Sequence, residues 1–378
     1  MFFVYASLII ALACSVITER TLLGYNNVHW SIRIFVFLLL ASAWLSPVII
    51  NVLRRKMLLD GQVFNSFSNI GYACFGFVFI LFIMLFFRDG FWFVTYKFFG
   101  KSQSWNPTNV SLLTKVNIIT VLLAIALSVY AIFEATKLPI VKKLEIISDK
   151  VNEPITILQI NDVHLHGRKA VSDVKNLVAL SNSLNPDIVV MPGDIIDDGI
   201  GYISNHLKEL SKLSSKYGVY VSAGNHEYYN GLVPIQWQFQ NMGFFFLSEN
   251  GMRVGDSGIY IAGIPDNSMQ RVVKEYPKIF DGSEINDYKI LLAHNPKFAK
   301  EYLNMGFDLQ LSAHTHGGQI FPFHILVKWA NNYLAGKYDI DGKILYISRG
   351  AGYWGPPMRL LSPADITLIT VKPKNKRE

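Results

Sequence analysis

The sequence predicts an α/β domain carried behind about four transmembrane helices. Three observations lead there. Four apolar stretches with almost no charge fill the first third of the 378 residues. From about Pro154 the pattern switches to short β-branched runs alternating with amphipathic stretches, the rhythm of βαβ units. Aspartate, asparagine and histidine residues then recur just after the runs read as strands, the end at which open α/β sheets place their sites.

The apolar stretches are Phe2–Thr18, Ile32–Val52, Ile70–Phe87 and Val116–Ala135, each near the ~20 residues that cross a hydrocarbon core. Any one of them could be a buried globular helix; four in succession read as membrane spans. Phe91–Phe99 is too short to cross, and its Trp92, Tyr96 and Lys97 suit an interfacial segment. Tyr25, Trp30, Trp44 and Trp105 lie in or near span ends, where aromatic rings straddle lipid and water. The first stretch lacks the basic start of a secretory signal and is read as a retained helix. Cys14 and Cys74 both fall inside spans, so no disulfide framework is available. An integral protein of the cell (inner) membrane is expected. Its orientation is left open, because six basic residues flank the spans on each side; the tight Arg54-Arg55-Lys56 cluster leans towards a cytoplasmic soluble domain.

Charge divides the chain at the same place. Of the net +7, the residues before 137 carry +5, from nine basic and four acidic side chains, and the rest carry +2, from 26 and 24. The soluble part is therefore close to neutral, and no stripe of basic and aromatic residues stands out. No nucleic-acid partner is expected. The expected organisation is a helical membrane region at 1–136, a linker at 137–153, the α/β domain at 154–371 and a basic tail at 372–378.

Within the domain, Ile155–Ile160 reads as a buried strand, Val171–Leu184 as a helix and Ile188–Met191 as the next strand. Ile203–Leu213 reads as a second helix and Tyr217–Ser222 as a strand. Further strands are expected at Phe244–Leu247, Ile259–Ala262, Ile290–Ala293, Leu309–Ser312, Leu345–Ser348 and Ile366–Val371, with a short helix at Phe298–Asn304. Alternation alone would allow an ordinary doubly wound sheet.

Five short segments carry the chemistry: Asp162-Val163-His164, Gly193-Asp194, Gly224-Asn225-His226-Glu227, His294 and His314-Thr315-His316. They hold five of the nine histidines, and the first three are spaced by roughly 30 residues, one βαβ unit apart. Imidazole and carboxylate suit zinc, manganese or iron, and thiolate is absent from the set. The order Asp-x-His, Gly-Asp, Gly-Asn-His-Glu, His, His-x-His resembles the calcineurin-like metallophosphoesterase family over roughly residues 150–371. One departure is Ala313, where the family usually has glycine. Alanine is harmless there unless the backbone needs positive φ.

The resemblance implies a two-sheet sandwich flanked by helices (αββα) and a metal-dependent phosphoesterase with two divalent metal ions: manganese, iron or zinc. Carried over residue by residue, one metal takes Asp162, His164, Asp194 and His316. The second takes Asp194, Asn225, His294 and His314, so that Asp194 bridges. The family's nucleophile is a hydroxide held between the metals, and its proton donor to the leaving oxygen corresponds to His226. Beyond these, His166, Arg349 and Arg359 are candidate substrate contacts. Asp197 and Asp198 read as a turn or an outer pair behind the ligands. Glu227 either orients a neighbouring histidine or satisfies backbone donors.

A phosphodiester or pyrophosphate substrate is expected, with phosphomonoesters as the alternative. The short link after the fourth span keeps the site near the headgroup plane, and Ile320–Leu334 could form an amphipathic lip at the interface or a helix packed on the sheet. A lipid-linked substrate is therefore expected. A non-catalytic membrane sensor or scaffold should have lost a donor, and none is missing. A transporter would need ionisable residues deep in its spans, which these four hardly contain.

Overall fold

The computed structural model describes residues 2–24, 27–56, 61–99, 109–266 and 276–374. Tyr25, Trp105 and residues 375–378 of the basic tail lie outside them. The chain divides into two compact units, residues 1–134 with 355–358 and residues 135–354 with 359–378.

The first unit holds α1 (Phe2–Leu23), α2 (Trp30–Lys56), α3 (Gly61–Phe99) and α4 (Val110–Thr136). All four are long and apolar enough to cross a membrane. Their exposed side chains include Ile9, Phe35, Leu39, Phe86, Leu122 and Phe133, an apolar exterior that water would not tolerate and lipid would. Polar groups at the helix ends are paired. Arg33 Nε lies 2.6 Å from Glu19 Oε1, and Asn117 Nδ2 donates to Leu22 O at 2.9 Å.

One expectation is corrected in this unit. The stretch Phe91–Phe99 is not a separate interfacial segment but the last turns of α3, which runs unbroken for 39 residues. At ~1.5 Å per residue that is about 58 Å, nearly twice a hydrocarbon core of ~30 Å. Arg88-Asp89-Gly90 interrupts the apolar pattern without stopping the helix, since one glycine costs only about 1 kcal/mol.

The second unit is built on two six-stranded mixed sheets. In the first, the order is β1 (Ile140–Ser148), β12 (Asp365–Pro373), β2 (Ile155–Gln159), β3 (Ile188–Pro192), β4 (Val219–Ser222), β5 (Phe245–Phe246). The order in the second is β10 (Gly336–Ile340), β11 (Lys343–Ile347), β9 (Leu309–Ser312), β8 (Tyr288–Leu292), β7 (Ile259–Gly263), β6 (Asn250–Arg253). Strands β2 to β5 pair in parallel, as do β11, β9, β8 and β7. Strand β12 is antiparallel to β2, while β10 and β6 run antiparallel at the edges of the second sheet.

Side-chain alternation makes this a sandwich. Ile188 and Val190 of β3 pack with Ile259 and Ile261 of β7, Ile290 and Leu292 of β8, and Leu309 and Leu311 of β9 in the core between the sheets. Val189 and Met191 point the other way, into a layer with α5 (Val171–Ser183), α6 (Ser204–Leu210) and α8 (Leu232–Asn241). Tyr260, Ala262 and Leu291 likewise face outward, against α9 (Ala299–Asn304). The layers run helices, sheet, sheet, helices, as the resemblance implied.

The stretch 137–153, expected as a linker, is mostly strand. β1 pairs with β12 along its whole length, from Ile140↔Asp365 to Ser148↔Pro373, and Lys142 Nζ lies 2.5 Å from Asp365 Oδ2. The expected tail start at 372 also falls inside β12. Only Ile146 of β1 is buried, because the strand lies at the sheet edge.

Candidate metal centre

Every candidate donor follows the carboxyl end of a strand: Asp162 and His164 after β2, Asp194 after β3, Asn225 after β4, His294 after β8, and His314 and His316 after β9. Five of these seven, Asp162, His164, Asp194, His314 and His316, have φ between 49° and 72°. Non-glycine residues rarely hold that conformation, and its cost is typical of side chains aimed by surrounding structure at a site. Ala313 is not among the positive-φ residues, so the departure from glycine there adds no backbone strain.

The side chains converge in two groups. Asp162, His164 and His316 offer ligand atoms all within 4.8 Å of one another, and so do Asp194, His294 and His314. In the first group His164 Nε2 and His316 Nε2 face each other at 2.9 Å, and Asp162 Oδ1 is 3.8 Å from His316 Nε2. In the second, His294 Nε2 is 3.1 Å from Asp194 Oδ2 and 3.2 Å from His314 Nδ1. Asp194 also groups with His164 and His226, so it stands between the two sets.

These residues fit a pair of divalent cations. His294 Nδ1 is 2.9 Å from Pro192 O and His164 Nδ1 is 2.7 Å from Asp197 Oδ1. Each ring thus donates from Nδ1 and aims its Nε2 into the site, the arrangement a metal-ligating histidine needs. On His294 a bound cation would displace the proton that Asp194 otherwise holds there by raising the ring well above its ordinary value. Lone pairs and carboxylate oxygens at about 3 Å repel unless a proton or a cation lies between them. Asn225 Oδ1 is buried and has no hydrogen-bond donor, which suits a neutral oxygen ligand.

Electrostatics follow from burial and crowding. Burial would raise the Asp194 carboxyl, but His294 and His226 hold it far below the usual range. Burial raises Asp162 despite nearby His294. His314 is lowered to about 4 by burial and by His294, and His316 falls well below its ordinary value through burial, His164 and Arg359. Both rings are therefore neutral and able to bind a cation at neutral pH.

His226 adjoins one member of each set, His164 and Asp194. Its Nδ1 is 2.6 Å from Asp197 Oδ1 and its Nε2 is 3.9 Å from Asp194 Oδ2. Burial opposes its charge, but Asp197 and Asp194 raise it to about 9. The imidazolium therefore presents an acidic N–H to the site. Tyr229 and Trp354 flank this ring, with centroids 5.5 and 6.5 Å away. Gln319 clamps Trp354, its Nε2 donating to Trp354 O at 2.8 Å and its Oε1 accepting from Trp354 N at 2.9 Å.

Asp197 was expected in a turn or an outer pair; it is the single carboxylate that orients both His164 and His226. Its only sequence signal was its place three residues after Asp194. Asp198 instead accepts from Gly167 N at 2.7 Å. Glu227 accepts from the backbone N–H of Asp194, Ile195, Ile196 and Gly224 at 2.7–3.0 Å, fastening two ligand loops together. A side chain at Gly224 would place its Cβ 2.2 Å from Asp194 Oδ1, so only glycine lets these loops meet.

Among the candidate substrate contacts, His166 is buried with Nδ1 unpartnered, and Arg349 is partly exposed with Nη1 3.7 Å from Asp365. Arg359 is a correction. It is wholly buried and donates to the carbonyls of Gly352, Ser362, Arg349 and His316, so it braces the loop behind His316 and does not reach substrate. Its Nη2 also lies 3.2 Å from His316 Nδ1.

A two-sheet sandwich that gathers buried imidazoles and carboxylates beyond its strand ends defines a metal-dependent phosphoesterase. Residues 155–318 match the calcineurin-like phosphoesterase family. A metallophosphoesterase of Helicobacter pylori is 34% identical over 249 residues, covering 65% of this chain and 67% of its own length. One from Campylobacter jejuni is 35% identical over 271 residues, covering 66% and 69%. A transmembrane protein with metallophosphoesterase domain from Danio rerio is 28% identical over 362 residues, covering 91% of this chain and 80% of its own. The chain belongs to the calcineurin-like metallophosphoesterase family, and it is a membrane-associated phosphoric ester hydrolase.

Proposed function

We propose that this protein hydrolyses phosphodiester or pyrophosphate bonds of lipid-linked substrates at the surface of the cell (inner) membrane. Asp162, His164, Asp194 and His316 would hold one divalent ion, and Asp194, Asn225, His294 and His314 the other, drawn from manganese, iron or zinc. When bound, such a pair supplies an activated water and neutralises charge on the phosphoryl oxygens. The observation that carries this reading is Asp194, a buried carboxylate standing between two converging donor sets.

The remaining work falls to the chain's own residues. Asp197 fixes the His226 ring through Nδ1 and keeps it protonated, so that Nε2 can give its proton to the departing oxygen. His166 and Arg349 would meet the phosphate or its neighbouring group. Support for a lipid-linked substrate comes from the four apolar helices on the same chain, with three residues between Thr136 and Ile140.

The test uses the full-length chain in detergent with manganese, on bis-p-nitrophenyl and mono-p-nitrophenyl phosphate. The diester is expected to turn over faster; a faster monoester would favour a phosphomonoesterase. Asp194→Asn should lose bound metal by elemental analysis and reduce turnover to background, whereas full turnover in that variant would overturn the scheme. Equal rates on lipid-linked and matched soluble diesters would remove the lipid part alone.

A further inference from the structure

Helix α10 (His324–Asn331) contains no buried residue, although five of its eight residues are apolar. At about 100° per residue, Ile325, Trp329, Leu326 and Ala330 fill one arc, and His324, Lys328 and Asn331 share the other with a half-buried Val327. The apolar arc is left open: Ile325 is 61% exposed, Leu326 58% and Trp329 83%. Phe321 and Phe323, just before the helix, are exposed too. A helix this short is not stable on propensity alone and depends on burying its apolar face.

α10 is anchored at its first residue, with Val327 and Asn331 half-buried further along. A Cβ on Gly318 would lie 2.3 Å from His324 Cα, and Gly318 sits at φ +82°, so the helix start is seated directly on the loop that follows His316. The Phe321 and His324 rings stack at 5.0 Å. The anchored end is thus fastened to the candidate metal centre while the apolar arc faces outward.

We propose that α10 is an in-plane membrane helix whose Ile325, Leu326 and Trp329 enter the headgroup layer of the bilayer that α1–α4 span. The bilayer is the one apolar phase permanently attached to this chain. Three residues join α4 to β1, and three residues reach about 10 Å at most, so the tether supplies a high effective concentration of lipid. Composition agrees: a tryptophan and branched aliphatics on one side with a lysine on the other is the make-up of interfacial helices. A second copy of the chain fits less well, since a stable interface buries about 800 Å² per partner, more than three side chains on two helical turns supply. The inference does not depend on which phosphoester is cleaved.

The experiment places single nitroxide labels on the full-length chain reconstituted in vesicles with anionic lipid, in a Cys14→Ser, Cys74→Ser background. Labels at Ile325→Cys and Trp329→Cys are compared with Lys328→Cys on the polar arc and with Trp237→Cys, an exposed aromatic on α8. Labels at 325 and 329 should collide several-fold more with oxygen than with a water-soluble nickel chelate, while 328 and 237 show the reverse. Nickel accessibility at 329 equal to that at 237 would overturn the proposal. So would shielding of 329 from both reagents, which would mean a protein partner covers the helix. As a check on wild-type structure, quenching of tryptophan fluorescence by brominated lipid should fall in Trp329→Phe, and unchanged quenching would count equally against the idea.

Discussion

Asp197 holds two imidazoles at once: one donates a ring nitrogen to the candidate centre, the other is the proposed acid. Replacing it with asparagine removes the charge that orients both and should have two separable effects. Metal affinity should fall about 10–100-fold, the usual cost of losing such a support, as measured by titration against a chelating indicator. The second effect is on pH. His226 is raised to about 9 because Asp197 and Asp194 outweigh its burial. Without Asp197 the proton leaves at lower pH, so the alkaline limb of kcat on an alkyl phosphodiester should move down. His226→Ala should slow alkyl esters by about 10²–10⁴-fold and p-nitrophenyl esters far less, because a good leaving group needs no proton. A uniform loss on both substrates would assign His226 to binding.

At the level of elements, the stability of the centre rests on the core between the sheets. Ile261 of β7 is fully buried there, in the cluster between the two sheets. Ile261→Ala should cost about 2–5 kcal/mol, read as a lower Tm of the full-length chain in detergent, with kcat retained below the transition. The elements that were legible in the sequence are those whose faces are both covered. β2, β3, β7, β8, β9 and β12 are mostly buried and carry aliphatic side chains at alternate or successive positions, and each lies within one or two residues of its expected place. The strands that were not legible, β1, β6 and β10, are three of the four sheet edges. Their burial is partial, and sequences such as Gly336-Lys337-Tyr338-Asp339-Ile340 carry no hydrophobic run to read. The expectation of a linker before Pro154 failed for this reason.

For the whole molecule, metal and fold are linked. A cation that binds the folded chain stabilises it by mass action, about 2.7 kcal/mol for each ion at ~100 times its Kd. Thermal unfolding of the detergent-solubilised chain should therefore shift downward by several degrees in EDTA and recover when manganese is restored. An unchanged transition would mean that the converging donors do not hold metal strongly enough to matter. The same linkage gives Asp162 a reason to tolerate complete burial, which otherwise raises its carboxyl above the ordinary range.

The four apolar helices, the family and the seven candidate donors were legible in the sequence alone. Apolar length and donor type are local properties, written in the chain whatever it later touches. Contacts between distant segments are not. Asp197 orients residues 33 positions before it and 29 after it. Arg359, a plausible phosphate contact by residue type, is consumed by carbonyls of its own loop. Only the tertiary structure decided these roles, because a side chain's partners depend on which loops the two sheets bring to one edge.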